Sequence, residues 1–216
     1  MHPGPRGPLL SLPKAEVGEV IGTGVDLNAY RAGKALSYES LDDFGASTWK
    51  FEVLSTQKTD KGILVRTREP WADSEDEGEW KGNYLIAEDG IWQTGGRDEF
   101  TTTTYTKPPL DLPLELRLNA VHRYEVAGED RYQDEEELDV GAYRERSELR
   151  VVGLEDVIVD AGTFKDCVLI ERYTESLWPD YYDATLSREW YHPGTGMVKQ
   201  NDNTSTSELI KIEDKK

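Results

Sequence analysis

The most constraining feature of this chain is a period of two that keeps returning along it. Between Ser47 and Ser55, Trp49, Phe51 and Val53 alternate with Thr48, Lys50 and Glu52, and only an extended strand gathers such a set onto one face. After a turn at Lys61-Gly62, Ile63, Val65 and Thr67 alternate with Leu64, Arg66 and Arg68, which predicts a second strand paired with the first as a hairpin. Leu118, Ala120, His122, Tyr124 and Val126 against Asn119, Val121, Arg123 and Glu125 predict a third. Short β-rich runs follow over Arg144 to Val152, Glu155 to Asp160, Thr163 to Tyr173, Thr185 to Tyr191, Met197 to Asn201 and Glu208 to Ile212. Gly153, Ala161-Gly162, Pro193-Gly194 and Gly196 punctuate them in the manner of a meander. Helix is a minor component, since Val25 to Leu41 holds one or two turns at most, is interrupted by Gly33 and opens on no capping box. Roughly ten to twelve strands are too many for one flat open sheet. The expected fold is therefore mainly β, a single curled antiparallel sheet forming a half-barrel or barrel.

The 216 residues suit one domain. Residues 1–13 contain Pro3, Pro5, Pro8 and Pro13 with Gly4 and Gly7, the composition of a flexible tail, and residues 14–216 are expected to form a single β domain. The tail has no continuous apolar stretch of the signal-peptide kind, which fits a cytoplasmic protein and equally an exported one whose leader has been removed. No apolar run approaches the roughly 18 residues that a membrane helix requires. With 43 acidic against 25 basic side chains and a net charge of -18, the chain lacks the clustered cations that neutralise phosphates, so nucleic acid is excluded as a partner. The single cysteine, Cys167, can form no internal disulfide and reads as a buried, inert thiol.

Three segments carry a family resemblance. Tyr30-Arg31-Ala32-Gly33-Lys34-Ala35-Leu36-Ser37-Tyr38 is similar to a "Gly, then Trp-x-Tyr" opening, with Leu36 in place of the Trp. Gly153-Leu154-Glu155-Asp156-Val157-Ile158-Val159-Asp160-Ala161-Gly162-Thr163-Phe164 resembles a G-x-E-x-V-x-V-P-A-G-T-F hairpin, with Asp160 replacing the proline. Trp190-Tyr191-His192-Pro193-Gly194-Thr195-Gly196-Met197-Val198-Lys199 resembles W-Y-A-P-G-V-G-L-V-K, departing at His192, Thr195 and Met197. In order and separation these resemble a group of bacterial exported proteins and lipoproteins of unknown function. The resemblance implies a LolA- or LppX-like curled sheet and a periplasmic or cell-surface location, and it implies no catalytic residues. Turn chemistry accounts for the motifs: Ala161-Gly162 and Pro193-Gly194 supply the dihedrals of tight connections, and Phe164 and Trp190 anchor the flanking strands.

The charge is uneven. Asp73, Glu75, Asp76, Glu77 and Glu79 surround Gly78 in one run, and Glu129, Asp130, Asp134, Glu135, Glu136, Glu137 and Asp139 form a second with Arg131 as its one cation. The first differs from a calcium loop because Glu75 and Glu77 stand where Asp or Asn is wanted, and Tyr84 stands where the bidentate Glu belongs. Both are read as solvated loops, with Glu75, Asp76, Glu77, Glu135, Glu136 and Glu137 as an acidic surface for a protein partner. His2, His122 and His192 have no metal-ligand spacing, so neither a metal nor a cofactor is expected. His122 reads as a hydrogen-bonded interior imidazole and His192 as a turn residue. Nucleotide and serine-hydrolase motifs do not occur.

Aromatic residues carry the remaining signal. Trp92, Trp178, Tyr181, Tyr182 and Trp190 are the candidate ligand-binding residues, because curled sheets enclose concavities and rings supply contact area. The alternative is ordinary core packing. Three functions stay open: a non-enzymatic extracytoplasmic β-domain that binds an apolar or amphipathic ligand or a protein; an assembly subunit of a bacterial surface structure docking through acidic loops; and a hydrolase using two of the many carboxylates.

Overall fold

The computed structural model describes residues 15–27, 29–70, 78–132, 140–177 and 182–214. Strand β1 (Val20–Thr23) and the one-turn helix α1 (Gly24–Leu27) precede β2 (Lys34–Asp42), β3 (Gly45–Thr59), β4 (Gly62–Pro70), β5 (Glu79–Ile86), β6 (Gly90–Arg97) and β7 (Thr101–Lys107). Two short strands, β8 (Leu110–Pro113) and β9 (Glu115–Arg117), lead to β10 (Val121–Tyr132), β11 (Val140–Val159), β12 (Gly162–Leu177), β13 (Tyr182–His192), β14 (Gly196–Asn201) and β15 (Ser205–Asp214). Among the described residues helix is limited to one turn, yet it is capped: the Thr23 Oγ1 accepts the Asp26 amide at 3.1 Å and donates to the Asp26 carboxylate at 2.7 Å. Thr23-x-x-Asp26 is a capping pattern with Asp in the usual Glu position.

The curled sheet closes. Strands β2 to β7 and β10 to β15 form a ring of twelve, every neighbouring pair antiparallel, with β7 paired to β10 and β15 paired to β2. The hairpin expected between Trp49 and Arg68 is β3–β4, with Thr59 opposite Gly62. Closure leaves the ring no free edge at which another chain could add. Strand β8 is not a member of the ring but pairs with β6 and faces the lumen, and β9 pairs with β1.

The ring has two different ends, because in an up-and-down barrel successive turns alternate between them. At one end β1, α1 and the β8–β9 connection plug the opening. Leu27, Leu112 and Leu116, all fully buried, pack on Ile91, Leu149, Val151, Val168 and Ile170 of the wall. The Pro193–Gly196 turn holds this plug in place: the Gly194 amide donates to the Asp26 carbonyl at 2.6 Å, and the Lys34 ammonium donates to the Gly194 carbonyl. A second core cluster lies where the long β11–β12 hairpin folds over the wall, with Val157, Val159, Phe164 and Cys167 against Val198. Phe164 and Trp190 both join this cluster, and the Cys167 thiol is buried beside the Phe164 carbonyl. The imidazole of His122 is half-buried, and among the described residues its Nε2 has no hydrogen-bond partner, so the interior bond expected for it is not made at that atom. Burial lowers its pKa and keeps it neutral.

The opposite end carries the turns after β2, β6 and β14. In each, an aspartate side chain accepts amides two and three residues ahead: Asp42 from Phe44 and Gly45, Asp98 from Phe100 and Thr101, Asp202 from Thr204 and Ser205. These Asx-type turns are locally encoded.

Candidate functional site

Between the plug and the turn-bearing end lies a cavity of about 410 Å³, within the range of small-molecule sites. Eleven of the twelve ring strands contribute to its wall, so it is the barrel lumen. The strands present their alternate residues to it: Trp49 and Phe51 on β3, Glu145 and Ser147 on β11, Arg172 and Thr174 on β12, Glu189 and Tyr191 on β13. Glu69, Glu145, Thr174 and Gln200 lie toward the turn-bearing ends of their strands, whereas Leu36, Tyr191 and Gly196 lie toward the plugged ends, so the cavity reaches from the plug to the turn-bearing end of the lumen.

Aromatic rings dominate the lining. Tyr38 stacks on Trp49 at 4.2 Å between centroids, Tyr30 lies 4.9 Å from Tyr84, and Phe51 meets Tyr30 edge-on at 5.9 Å. Burial raises the pKa values of Tyr30, Tyr38, Tyr84 and Tyr191, and neighbouring carboxylates raise them further. These phenols stay protonated and act as hydrogen-bond donors.

Charge in the lumen is unbalanced. Among the described residues, four carboxyl groups (Glu69, Asp111, Glu145 and Glu189) line the cavity against one guanidinium, that of Arg172. Arg172 is fully committed: its Nε and Nη2 donate to Glu189 at 2.9 and 3.2 Å, and its Nη atoms donate to Leu110 O at 2.8 Å, Tyr124 Oη at 2.8 Å and Asp111 O at 2.7 Å. Burial opposes charge on Glu189, but Arg172, Ser187 and Tyr191 outweigh it and hold its pKa low. Asp111 accepts the Tyr30 hydroxyl at 2.6 Å, and its pKa is nonetheless raised, mainly by burial. Glu145 accepts the Ser176 hydroxyl at 3.0 Å and is raised by burial and by Asp130. Among the described residues Glu69 has no hydrogen-bonding or ionic side-chain partner. Burial and the nearby Asp111 push its pKa up to about 7. Such a carboxyl donates a hydrogen bond when protonated and attracts a cation when ionised.

Of the ligand-binding candidates from sequence, Trp92 and Trp190 face away from this cavity. Their neighbours Ile91, Gln93, Glu189 and Tyr191 take the inward positions. Trp92 donates to Asp89 at 2.9 Å; Trp190 donates to Glu155 at 2.8 Å beneath the Lys199 ammonium. Tyr182 opens β13, while Trp178 and Tyr181 lie outside the described residues. So do Glu75, Asp76, Glu77, Glu135, Glu136 and Glu137. The lumen residues Glu69, Arg172 and Glu189 went unnoticed in the sequence, although parity points to two of them. Glu69 continues Val65 and Thr67, and Arg172 continues Val168 and Ile170. Among the described residues no group of three or more His, Cys, Asp or Glu is placed to hold a metal ion, and no helix is long and apolar enough to cross a membrane.

The sequence matches no protein-family model and no curated protein. Two solved structures are similar to the chain. One is a putative exported protein with a YmcC-like fold from Bacteroides fragilis, at 14% identity and a TM-score of 0.48, covering 87% of this chain and 98% of that one. The other is a putative lipoprotein from Parabacteroides distasonis, at 13% identity and a TM-score of 0.46, with the same coverage.

Proposed function

We propose that this protein is a non-enzymatic, extracytoplasmic β-barrel that binds an apolar or amphipathic small molecule in its lumen. The observation that carries the proposal is the cavity of about 410 Å³ enclosed by the ring and lined by Tyr30, Tyr38, Trp49, Phe51, Tyr84 and Tyr105. A plugged barrel with a ring-lined void favours burial of an apolar body with a polar group fixed by phenols and carboxyls. The resemblance of the sequence motifs to bacterial exported proteins and lipoproteins supports the location. Strand β12 ends, and β13 begins at Tyr182, at the turn-bearing end of the barrel, and ligand contact from Trp178, Tyr181 and Tyr182 belongs to the same proposal.

Native mass spectrometry of protein purified from its own host, compared with the denatured mass, tests the reading. A ligand mass that disappears on denaturation is expected, and Gln93→Trp, which fills the lumen, should abolish it. Trp92→Ala and Trp190→Ala should retain it; its loss in either would move the site to the outer wall. A bare polypeptide mass counts against ligand binding.

A second reading, docking of a basic protein at an acidic rim, is favoured by a separate observation. The turn after β2 presents Asp42, Asp43 and a 99% exposed Phe44, and the turn after β6 presents Asp98, Glu99 and an exposed Phe100. Strands β4 and β10 end at this same end, and Glu75 to Glu77 and Glu135 to Glu137 follow them in the sequence. Reversing charge at Glu135, Glu136 and Glu137 should then abolish partner capture, and unchanged capture would dismiss the reading.

A further inference from the structure

We infer that the ligand of the lumen is an organic cation, an ammonium or similar group carried on an apolar body, held with its charge near Glu69 and its body against the tyrosine and tryptophan faces. This rests on the lumen-binding reading above and names the chemical class of the molecule.

Three independent observations converge on it. The first is the imbalance of charge: Arg172 is spent on Glu189, and Glu69, Asp111 and Glu145 face the same cavity with no further cation among the described residues of its lining. A protein gains no stability from burying carboxyls in this way, because each costs desolvation and they repel one another. A cationic ligand supplies what the wall lacks. The second is the type of lining. A metal ion would want several oxygen ligands converging on one point, whereas here carboxyls alternate with ring faces. Tyr38 stacked on Trp49, and Tyr30 beside Tyr84, offer the negative faces that attract an organic cation and the area that buries its body.

The third observation is the field around the turn-bearing end. The described turns there contain Asp42, Asp43, Asp98, Glu99 and Asp202 and no lysine or arginine. Asp130, near that end of β10, accepts the Thr103 hydroxyl at 2.7 Å and faces Glu145. Acidic turns around a low-dielectric void concentrate cations and repel anions. Fatty acids, the anionic class an apolar barrel would otherwise suit, are therefore disfavoured at the rim and again inside.

The test uses three probes with one chain and different heads, titrated calorimetrically into the full protein at pH 8: octyltrimethylammonium, octanol and octanoate. Octyltrimethylammonium should bind more tightly than the other two by about tenfold or more. Glu69→Gln should bring octyltrimethylammonium affinity down to that of octanol in the same variant, with Glu145→Gln as a second variant should the first fail to fold. Equal binding of all three heads, a preference for octanoate, or a cation preference untouched by both variants would overturn the cation inference and leave the lumen-binding reading standing. Binding of none would overturn both.

Discussion

Arg172 and Glu189 meet diagonally across the β12–β13 ladder: Arg172 is in register with Ser187 and Glu189 with Ile170, and Nε stands 2.9 Å from Oε1. Two ring strands thus place opposite charges on the same inward face, and Leu110 and Asp111 of the neighbouring connection complete the guanidinium's partners through their carbonyls. The pair joins β8 to the wall and sets the floor of the cavity.

Removing one partner of a buried pair leaves the other charge unpaired. Arg172→Met should therefore destabilise the protein by about 3–5 kcal/mol, read by urea unfolding. Arg172→Met with Glu189→Met should recover part of that loss. A double variant as unstable as the sum of the two singles would show that the two groups are not coupled.

Glu69 makes stability depend on pH. Its folded pKa of about 7 lies above the ordinary 4.5, so stability is greatest below pH 4.5 as far as this group is concerned and falls as pH rises toward 7. The groups that face it are Asp111, Tyr38 and Tyr84, and with the phenols protonated only Asp111 adds charge. Glu69→Gln should raise stability at pH 8 by about 2–3 kcal/mol and change it little at pH 5. Equal effects at both pH values in paired thermal melts would contradict the burial of this carboxyl.

The plug is held by packing. Leu116 is fully buried on β9, and Leu116→Ala should cost about 2–5 kcal/mol. Hydrogen exchange should then rise first in residues 20–27 and 110–117, the strands and helix that share its contacts. Uniform acceleration around the ring would mean that the plug and the barrel unfold as one unit.

Two glycines of the Pro193-Gly194-Thr195-Gly196 turn should respond differently to alanine. Gly194 has φ +72° and open space where an alanine methyl would stand, whereas Gly196 has φ +101° and would bring Cβ to 2.8 Å from the Ala29 Cβ. Gly194→Ala should cost about 1 kcal/mol and Gly196→Ala about 2–3 kcal/mol. Equal losses in denaturant midpoints would show that only the backbone angle matters and that contact with the plug does not.

Local pattern made much of the architecture legible. The alternation at Trp49, Phe51 and Val53 and the turn glycines Gly162 and Gly194 announce strands and hairpins, because inward and outward faces and positive φ are properties of a few adjacent residues. The region from β5 to β7 was harder. Glycines at 82, 90, 95 and 96 and the threonine run from Thr101 to Thr104 give no apolar face to read. The site was less legible still: sequence favoured Trp92 and Trp190 for ligand contact, yet both lie outside the lumen, and Trp49 is the tryptophan that lines it.

The order of apolar, polar and turn residues sets the β class, most strand and turn positions, and which residues share a face of each strand. The tertiary structure alone decided which inward faces meet around one space. It did so through pairings of residues far apart in the chain, such as β2 with β15 and β7 with β10, and through bulges such as that between Val53 and Ser55, which reverse parity along a strand. A period of two says which residues share a face, but not which faces of distant strands come together. Only closure of the ring over the plug turned Glu69, Asp111, Glu145 and the tyrosines toward one enclosed space.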